Sequence, residues 1–388
     1  MRILYHHRIA SKDGQFVHVE ELIGALRRAG HHVTIVGPKT VEISGFGSEG
    51  GIVRRFKNVL PRIVYELMEL FYGFLAYFRL RRAAKHHRPD VIYERYNLFL
   101  PAGVWVAKRL RVPLLLEVNA PLFEERNTYD GMSLRAIASW IEKYVWNNAD
   151  VTLPVTHVLA DYLKSSGVAD AKIRVIPNGV DLEKFENLPS RDAAKAEFGF
   201  GSSIVLGFVG FIRTWHRLDI IIKALQDPEL SHAVFFVIGE GPARAQLESE
   251  AESHGVADRV RFSGLVQRQD LPRYMAAFDM ALQPNVVSYA SPLKMFEYMA
   301  MSLPIIAPDT PNIREILTDG VDALLVTDGD ADAMRRTLIE AVRDKELREK
   351  IGHAARCRID SGAFTWDHNA REVISIAREM NRRKFGTK

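Results

Sequence analysis

Pro284-Asn285-Val286-Val287-Ser288-Tyr289-Ala290-Ser291-Pro292-Leu293-Lys294-Met295-Phe296-Glu297-Tyr298-Met299-Ala300, closing on Leu303-Pro304-Ile305-Ile306-Ala307, is the stretch that organises the chain. Asp279 to Gln283, just ahead of it, reads as a short apolar strand. Ser291 at an N-cap and Pro292 at the first helical position mark a helix start. That helix places Leu293, Phe296 and Ala300 on one face and Lys294 and Glu297 in its first two turns. Pro304 ends it and feeds the next buried strand. A helix that opens at the end of a parallel strand presents free N–H groups and a positive dipole end, which suits a phosphate. Lys294 would add charge there, and Glu297, one turn deeper, could accept two hydrogen bonds from a sugar's vicinal hydroxyls. The competing reading is an ordinary surface pair at i,i+3.

Outward from this stretch, short apolar runs alternate with helical patterns. Strands are expected at 2–5, 33–36, 91–93, 113–118, 151–154 and 173–176, then at 204–209, 234–238, 259–262, 279–283, 304–307 and 323–326. Helices are expected at 17–29, 64–85, 134–148, 217–226, 242–254 and 330–343. Such alternation means parallel sheets covered on both faces. Two sets of six strands predict an α/β protein of two Rossmann-like, doubly wound domains facing a central cleft. The boundary falls after Val175-Ile176-Pro177-Asn178-Gly179-Val180-Asp181, a strand stopped by Pro177 and an Asn-Gly turn.

At 388 residues, with 47% hydrophobic and 26% charged residues, the chain is long enough for two globular domains. One cysteine, Cys357, leaves no internal disulfide and fits a reducing cytoplasm. Arg2-Ile3-Leu4-Tyr5 already reads as a strand, with no apolar leader ahead of it. The net charge of +4 is unevenly spread. Arg54 to Arg88 carries nine Lys/Arg against Glu66 and Glu69, so this one segment makes the protein basic.

Ser291-Pro292-x-Lys294-x-x-Glu297-Tyr298-Met299-Ala300, followed by Pro304-Ile305-Ile306, resembles the signature of the family four retaining glycosyltransferases, which have the GT-B fold. Pro177-Asn178-Gly179-Val180-Asp181 resembles that family's interdomain hinge. The resemblance implies a last helix, after Phe364-Thr365-Trp366, that crosses back onto the first domain. The expected domains are therefore 1–184 with 364–388 on the acceptor side, and 185–363 for the nucleotide sugar.

Residue by residue, the resemblance implies a donor site. Glu297 would hold the ribose, and Ser291, Pro292 and Leu293 would offer backbone to the phosphates and sugar. The loop of Gly14 and Gln15 would lie under the donor, where many members have paired glycines; its alternative is a plain tight turn. Val209 to Arg217 aligns with the phosphate-binding turn at Gly210. The usual Arg and Lys of that turn are here Phe211 and His216, which leaves Arg213, His216 and Lys294, above all Lys294, to stabilise a departing diphosphate. Gly239 and Gly241 match a turn near the nucleotide, and Leu265 and Val266 a segment that offers backbone groups to the base. Tyr289 stands where the fuller signature has a second Glu, touching the transferred sugar. Asn119 stands where members often have a His beside the reacting sugar, and Asn cannot act as a base near neutral pH. Glu124 and Glu125 would orient an acceptor or remain solvated loop charges.

The expected reaction is retaining transfer from a nucleoside diphosphate sugar to a hydroxyl acceptor, in surface polysaccharide or glycolipid synthesis, without cofactor. No metal ligands are expected: Asp328-Gly329-Asp330 suits a turn and N-cap, and the adjacent His pairs lack ligand spacing. The alternatives are a sugar-nucleotide epimerase of the same fold and an inactive or partner-dependent relative. A nucleic-acid binder is not expected, since no recognisable module surrounds the basic segment. Ile63 to Phe78, apolar apart from Glu66 and Glu69, is too short to span a bilayer, which takes about 20 apolar residues. It reads either as a helix resting on an anionic membrane, where a lipid-linked acceptor would be met, or as a buried layer of the first domain.

Overall fold

The computed structural model describes residues 1–9, 14–38 and 60–386, which divide into two compact units. Both are parallel sheets between helices. The first unit takes in Met1–Pro177, Tyr289–Ser291 and Trp366–Lys388. Its elements are β1 (Arg2–His6), α1 (Gly14–Arg28), β2 (His32–Val36), α2 (Arg62–His87), β3 (Val91–Arg95), α3 (Ala102–Leu110), β4 (Leu114–Val118), α4 (Leu122–Tyr129), α5 (Arg135–Asn148), β5 (Val151–Pro154) and α6 (His157–Ser165). The strand order is β2-β1-β3-β4-β5, all parallel. The expected sixth strand at 173–176 is not one. Ile173 makes only an isolated bridge to Thr152; the Arg174 and Ile176 N–H groups bond the Thr152 and Pro154 carbonyls at 3.0 Å, but Pro154 has no N–H to return a bond, so no ladder continues.

The second unit takes in Asn178–Ser288 and Pro292–Thr365. It holds α7 (Arg191–Glu197), β6 (Ile204–Val209), α8 (Asp219–Ala224), β7 (Ala233–Ile238), α9 (Arg244–Ser253), β8 (Val260–Phe262), α10 (Leu271–Met275), β9 (Met280–Leu282), α11 (Leu293–Ala300), β10 (Ile305–Pro308), α12 (Pro311–Arg314), β11 (Leu324–Val326), α13 (Ala331–Arg343) and α14 (Lys345–Asp360). The order β11-β10-β9-β6-β7-β8 reverses direction between β6 and β9. Ligands of such sheets bind beyond the carboxyl ends of the strands at that reversal. The segments leaving β6 and β9 are the turn of Gly210 and the loop into α11.

The division of the chain differs from the expected one at 184 and 364. It falls at Pro177 and at Trp366, because the Val180 N–H bonds the Phe364 carbonyl at 3.0 Å and ties both flanks into the second unit. Trp366 opens the last helix, α15 (Trp366–Phe385), which packs along α1 in the first unit. α11 starts one residue later than expected. Pro292, at φ −71° and ψ 121°, is still extended and acts as the N-cap, with no side-chain cap.

α2 reverses the usual sidedness of a surface helix. Glu66, Glu69, Gly73, Ala76, Leu80 and Ala84 face inward, while Ile63, Val64, Leu67, Met68, Phe71, Phe74, Leu75 and Phe78 are exposed. The two acids are buried because each has donors waiting. Glu66 accepts the N–H groups of Ser133 and Leu134, and Glu69 pairs with Arg8 and Arg126.

Candidate active site

In the second unit, the turns leaving β6 and β7 are stacked backbone on backbone. Gly210 (φ 140°) donates its N–H to the Ile238 carbonyl at 2.9 Å. A Cβ on Gly239 would lie 2.0 Å from the Gly210 oxygen, and one on Gly241 would lie 2.2 Å from the Ile212 oxygen. Gly239 and Gly241 are thus required for close approach of the two turns, whatever else they offer a ligand.

Lys294 reaches this turn from the first turn of α11. Its Nζ lies 3.9 Å from the Phe208 ring centroid, and a Cβ on Gly210 would sit 2.9 Å from it. Burial pushes its pKa down to about 7, against the opposing pull of the Glu297 carboxylate. An anion placed here would gain a charge that the protein alone holds half-heartedly. The Val209 N–H donates to the Tyr298 hydroxyl at 2.9 Å, which fixes α11 against the end of β6.

His216 packs on the other side, its ring 5.1 Å from that of Phe208. Burial, then Lys294 and Arg213, hold its pKa far below the usual imidazole range. The expectation of His216 as a substitute cation is therefore corrected: it is a neutral imidazole near pH 7, able to give or accept a hydrogen bond but not to supply charge. Arg213 is stacked between Phe211 and Trp215, with ring centroids 4.7 and 4.9 Å from its guanidinium carbon. Arg213 is thus a permanent cation at this turn, and Lys294 a titratable one.

Glu297 is only 3% exposed, and its Oε1 lies 2.6 Å from Nη2 of Arg268. The surface i,i+3 pair with Lys294 does not describe it. Arg268 was not legible as a site residue; its signal is a lone charge three residues past Leu265. Leu265 is exposed and Val266 half-buried, in the segment after β8, where Gly264 bridges to Gly239. This gathers Gly210, Arg213, His216, Gly239, Gly241, Leu265, Val266, Lys294, Glu297 and, by chain connection, Pro292 and Leu293 around the carboxyl ends of β6 to β9.

The first unit gathers a different set. Asn119, just past β4, donates from Nδ2 to Glu117 Oε1 at 2.5 Å. Glu117 is buried and also meets the Tyr93 hydroxyl at 2.8 Å, His18 Nε2 at 3.0 Å and the Arg95 guanidinium. Burial alone would raise its pKa. His18, Arg95 and the hydrogen bonds from His18 and Asn119 outweigh that and hold it ionised far below the usual carboxylate range. His6 Nδ1 and Glu94 Oε2 lie 2.5 Å apart beside this group, with Glu94 pressed on Gly103, where a Cβ would lie 2.3 Å from the carboxylate. The sequence carried a signal for this network: Glu117 and Glu94-Arg95 are charges inside otherwise apolar strands.

Tyr289 and Ser291 belong to this unit. The Tyr289 carbonyl accepts from Thr156 Oγ1 at 3.0 Å. Its phenol is raised in pKa by burial, then by the charge of Glu125 and a hydrogen bond to it. Glu125 is therefore engaged with Tyr289, whereas Glu124 is exposed on α4. Gly14 opens α1, and residues 10–13 and the side chain of Gln15 lie outside the described residues. Asp330 N-caps α13 through the Ala333 N–H at 2.8 Å. Among the described residues, no three His, Cys, Asp or Glu side chains are grouped to hold a metal ion.

Residues 12–184 match the family described as Glycosyltransferase Family 4, and residues 190–358 match Glycosyl transferases group 1. The chain belongs to the family four, group 1 glycosyltransferases. A D-inositol 3-phosphate glycosyltransferase of Actinosynnema mirum is 30% identical over 323 residues, covering 76% of this chain and 74% of that one. The 2-deoxystreptamine glucosyltransferase of Streptomyces kanamyceticus is 25% identical, with 76% and 81% covered. The Anabaena protein HepE, solved in complex with UDP, superposes with a TM-score of 0.76 at 18% identity, over 98% of this chain and all of that one. The fold is GT-B, and the protein is a hexosyl-type glycosyltransferase.

Proposed function

We propose that this glycosyltransferase moves a hexosyl group, with retention, from a nucleoside diphosphate sugar to a hydroxyl acceptor in cell-surface polysaccharide or glycolipid synthesis. The observation that carries the donor reading is the Lys294 ammonium held over Gly210, at the carboxyl ends of the strands where the sheet order reverses. As the bond from the anomeric carbon to the diphosphate oxygen breaks, the leaving group gains negative charge. Lys294, Arg213 and the N–H group of Leu293 are its stabilisers. The acceptor oxygen bonds the anomeric carbon on the same face, and its proton passes to the departing diphosphate. Glu297 takes the ribose hydroxyls, and Asn119 and Tyr289 act as donor and acceptor of hydrogen bonds rather than as bases. The chemistry asks no metal of the protein, since protein cations supply the charge.

HepE was solved with UDP, so uridine diphosphate sugars are the first donors to test. Purified protein should release a nucleoside diphosphate from one such sugar, faster with acceptor than without. Conversion of the donor sugar to its epimer, without any acceptor, would support the epimerase reading instead.

The outward apolar face of α2 supports a peripheral site of action on the inner face of the cell membrane, with a lipid-linked acceptor. Among the described residues no helix is long and apolar enough to cross a membrane. Exposed Arg79, Arg82 and Lys85 follow the apolar face along the same helix. An amphipathic helix with this layout binds anionic interfaces through apolar burial plus charge.

A further inference from the structure

A groove of about 810 Å³ opens at the opposite end of the first unit's sheet, between the start of β2 and α15. It lies where β1 begins and α1 ends, whereas Asn119 and Gly14 lie past the carboxyl ends of the strands. The groove is therefore separate from the network around Glu117.

Its chemistry is one-sided. Arg371, Arg378 and Arg382 line it from α15, with His31 across from them. The spacings of seven and four residues put the three arginines on one helix face, spanning about 16 Å at 1.5 Å per residue. Among the described residues, none of the three makes an ion pair or a side-chain hydrogen bond. Their neighbours on the same helix do: Arg383 pairs with Glu379 at 2.5 Å, and Lys384 with Asp150 at 3.0 Å. Among the described residues lining the groove, the one carboxylate, Asp90, is already held by the Arg2 N–H at 2.7 Å and its guanidinium at 3.2 Å. Asn381 and Ser375 add neutral hydrogen-bonding groups, and Ile374 and Ala29 an apolar floor.

Unpaired guanidinium groups converging on a concavity suit planar, bidentate oxyanions. Their spread along the helix exceeds what one phosphate can bridge. We infer that this groove is a second ligand site, which takes a small anion carrying several phosphates. It is independent of the donor site in the second unit. Its size is within the ordinary range of small-molecule sites, about 300–1,000 Å³.

The probes are inorganic tripolyphosphate and inorganic phosphate, read by thermal shift and by calorimetry at fixed ionic strength. Phosphate groups could also bind at Lys294, so the titrations are run on Lys294→Ala protein. Tripolyphosphate should still raise its Tm and bind with one-to-one stoichiometry, well ahead of inorganic phosphate. Combining Lys294→Ala with Arg371→Ser, Arg378→Ser and Arg382→Ser should weaken that binding at least about tenfold, through loss of charge-assisted hydrogen bonds. Replacing Arg79, Arg82 and Lys85 in the same background should leave it intact, which separates a built site from general charge attraction. Equal weakening by both sets, loss of binding on Lys294→Ala alone, or no binding at all would overturn the inference. Among the described residues the three arginines hold no structural partner, and an unchanged Tm without ligand verifies that the variant is folded.

Discussion

Arg268 Nη2 lies 2.6 Å from Oε1 of Glu297, a carboxylate that is otherwise buried in the first turns of α11. The pair gives the buried carboxylate a charged partner before any ligand arrives. A carboxylate that is to accept from two ribose hydroxyls must be held in one orientation, and a guanidinium bonded at its edge does that. Glu297→Ala should raise the donor KM, costing roughly 1.5–3 kcal/mol for the lost hydrogen bonds to a charged group. Arg268→Ala should weaken donor binding, because the buried Glu297 carboxylate loses the partner that orients it. Arg268→Lys should restore most of the lost binding. An Arg268→Ala variant that binds donor as tightly as the wild type would remove Arg268 from the site.

Lys294→Ala should lower kcat more than it weakens donor binding, on the order of a hundredfold, because the diphosphate charge grows in the transition state. Equal losses in both would reduce Lys294 to an anchor. His216→Ala should cost less, since a neutral imidazole contributes a hydrogen bond and no charge.

The lowered pKa of Lys294 has a sign that can be measured. The free protein holds this amine at about 7 against an ordinary value of 10.5, so near pH 8 it is mostly neutral. A bound diphosphate favours the ammonium, and binding should therefore take up a proton between pH 7 and 10.5. Donor affinity should fall as pH rises through that window. The same shift means that the unfolded chain binds more protons there, so the contribution of Lys294 to stability rises with pH across it. Calorimetry at pH 8 in buffers of different ionisation enthalpy reads the proton uptake; none is expected in Lys294→Ala.

Glu142 offers an independent test in the first unit. Burial raises its pKa to about 7, although the Phe123 N–H and the Tyr96 hydroxyl both donate to it. A raised folded pKa means that its contribution to stability is fully present below the unfolded value and is lost as pH rises through 7. Glu142→Gln should match the wild type near pH 4.5 and exceed it in Tm at pH 8. A gap that does not change with pH would contradict the assignment.

The parallel α/β architecture and the position of α11 were legible because buried strands and N-cap chemistry are written locally. Four of the features that shape the site were not. Arg268 meets Glu297 only through tertiary structure, and the four polar partners named for Glu117 come from α1, β3 and the segment after β4. The neutral state of His216 follows from burial beside Phe208, which no spacing reports. α2 defied the pattern for another reason. Its acids face inward to serve distant N–H groups and arginines, so an apolar helix face that reads as core is left outside. The strand expected at 173–176 bonds β5 in one direction only, because Pro154 has no N–H to return a bond.

That outward face gives the membrane prediction. The protein should sediment with anionic but not neutral liposomes and come off at high salt, each basic group contributing on the order of 1 kcal/mol near the surface. Glu at Arg79, Arg81, Arg82 and Lys85 should abolish this binding without affecting donor hydrolysis. Phe71→Ser with Phe74→Ser should weaken it at every salt concentration. Sedimentation indifferent to lipid charge would remove the membrane from the account.

The most direct measurement is a thermal-shift titration with nucleoside diphosphates, run in parallel on wild type, Glu297→Ala and Lys294→Ala. One nucleoside diphosphate, UDP first, should stabilise the wild type by about 2.7 kcal/mol at 100 times Kd. The stabilisation should shrink sharply in both variants. If no nucleoside diphosphate stabilises the wild type, or if both variants respond as it does, the nucleotide is not held by Lys294 and Glu297 and the donor site lies elsewhere.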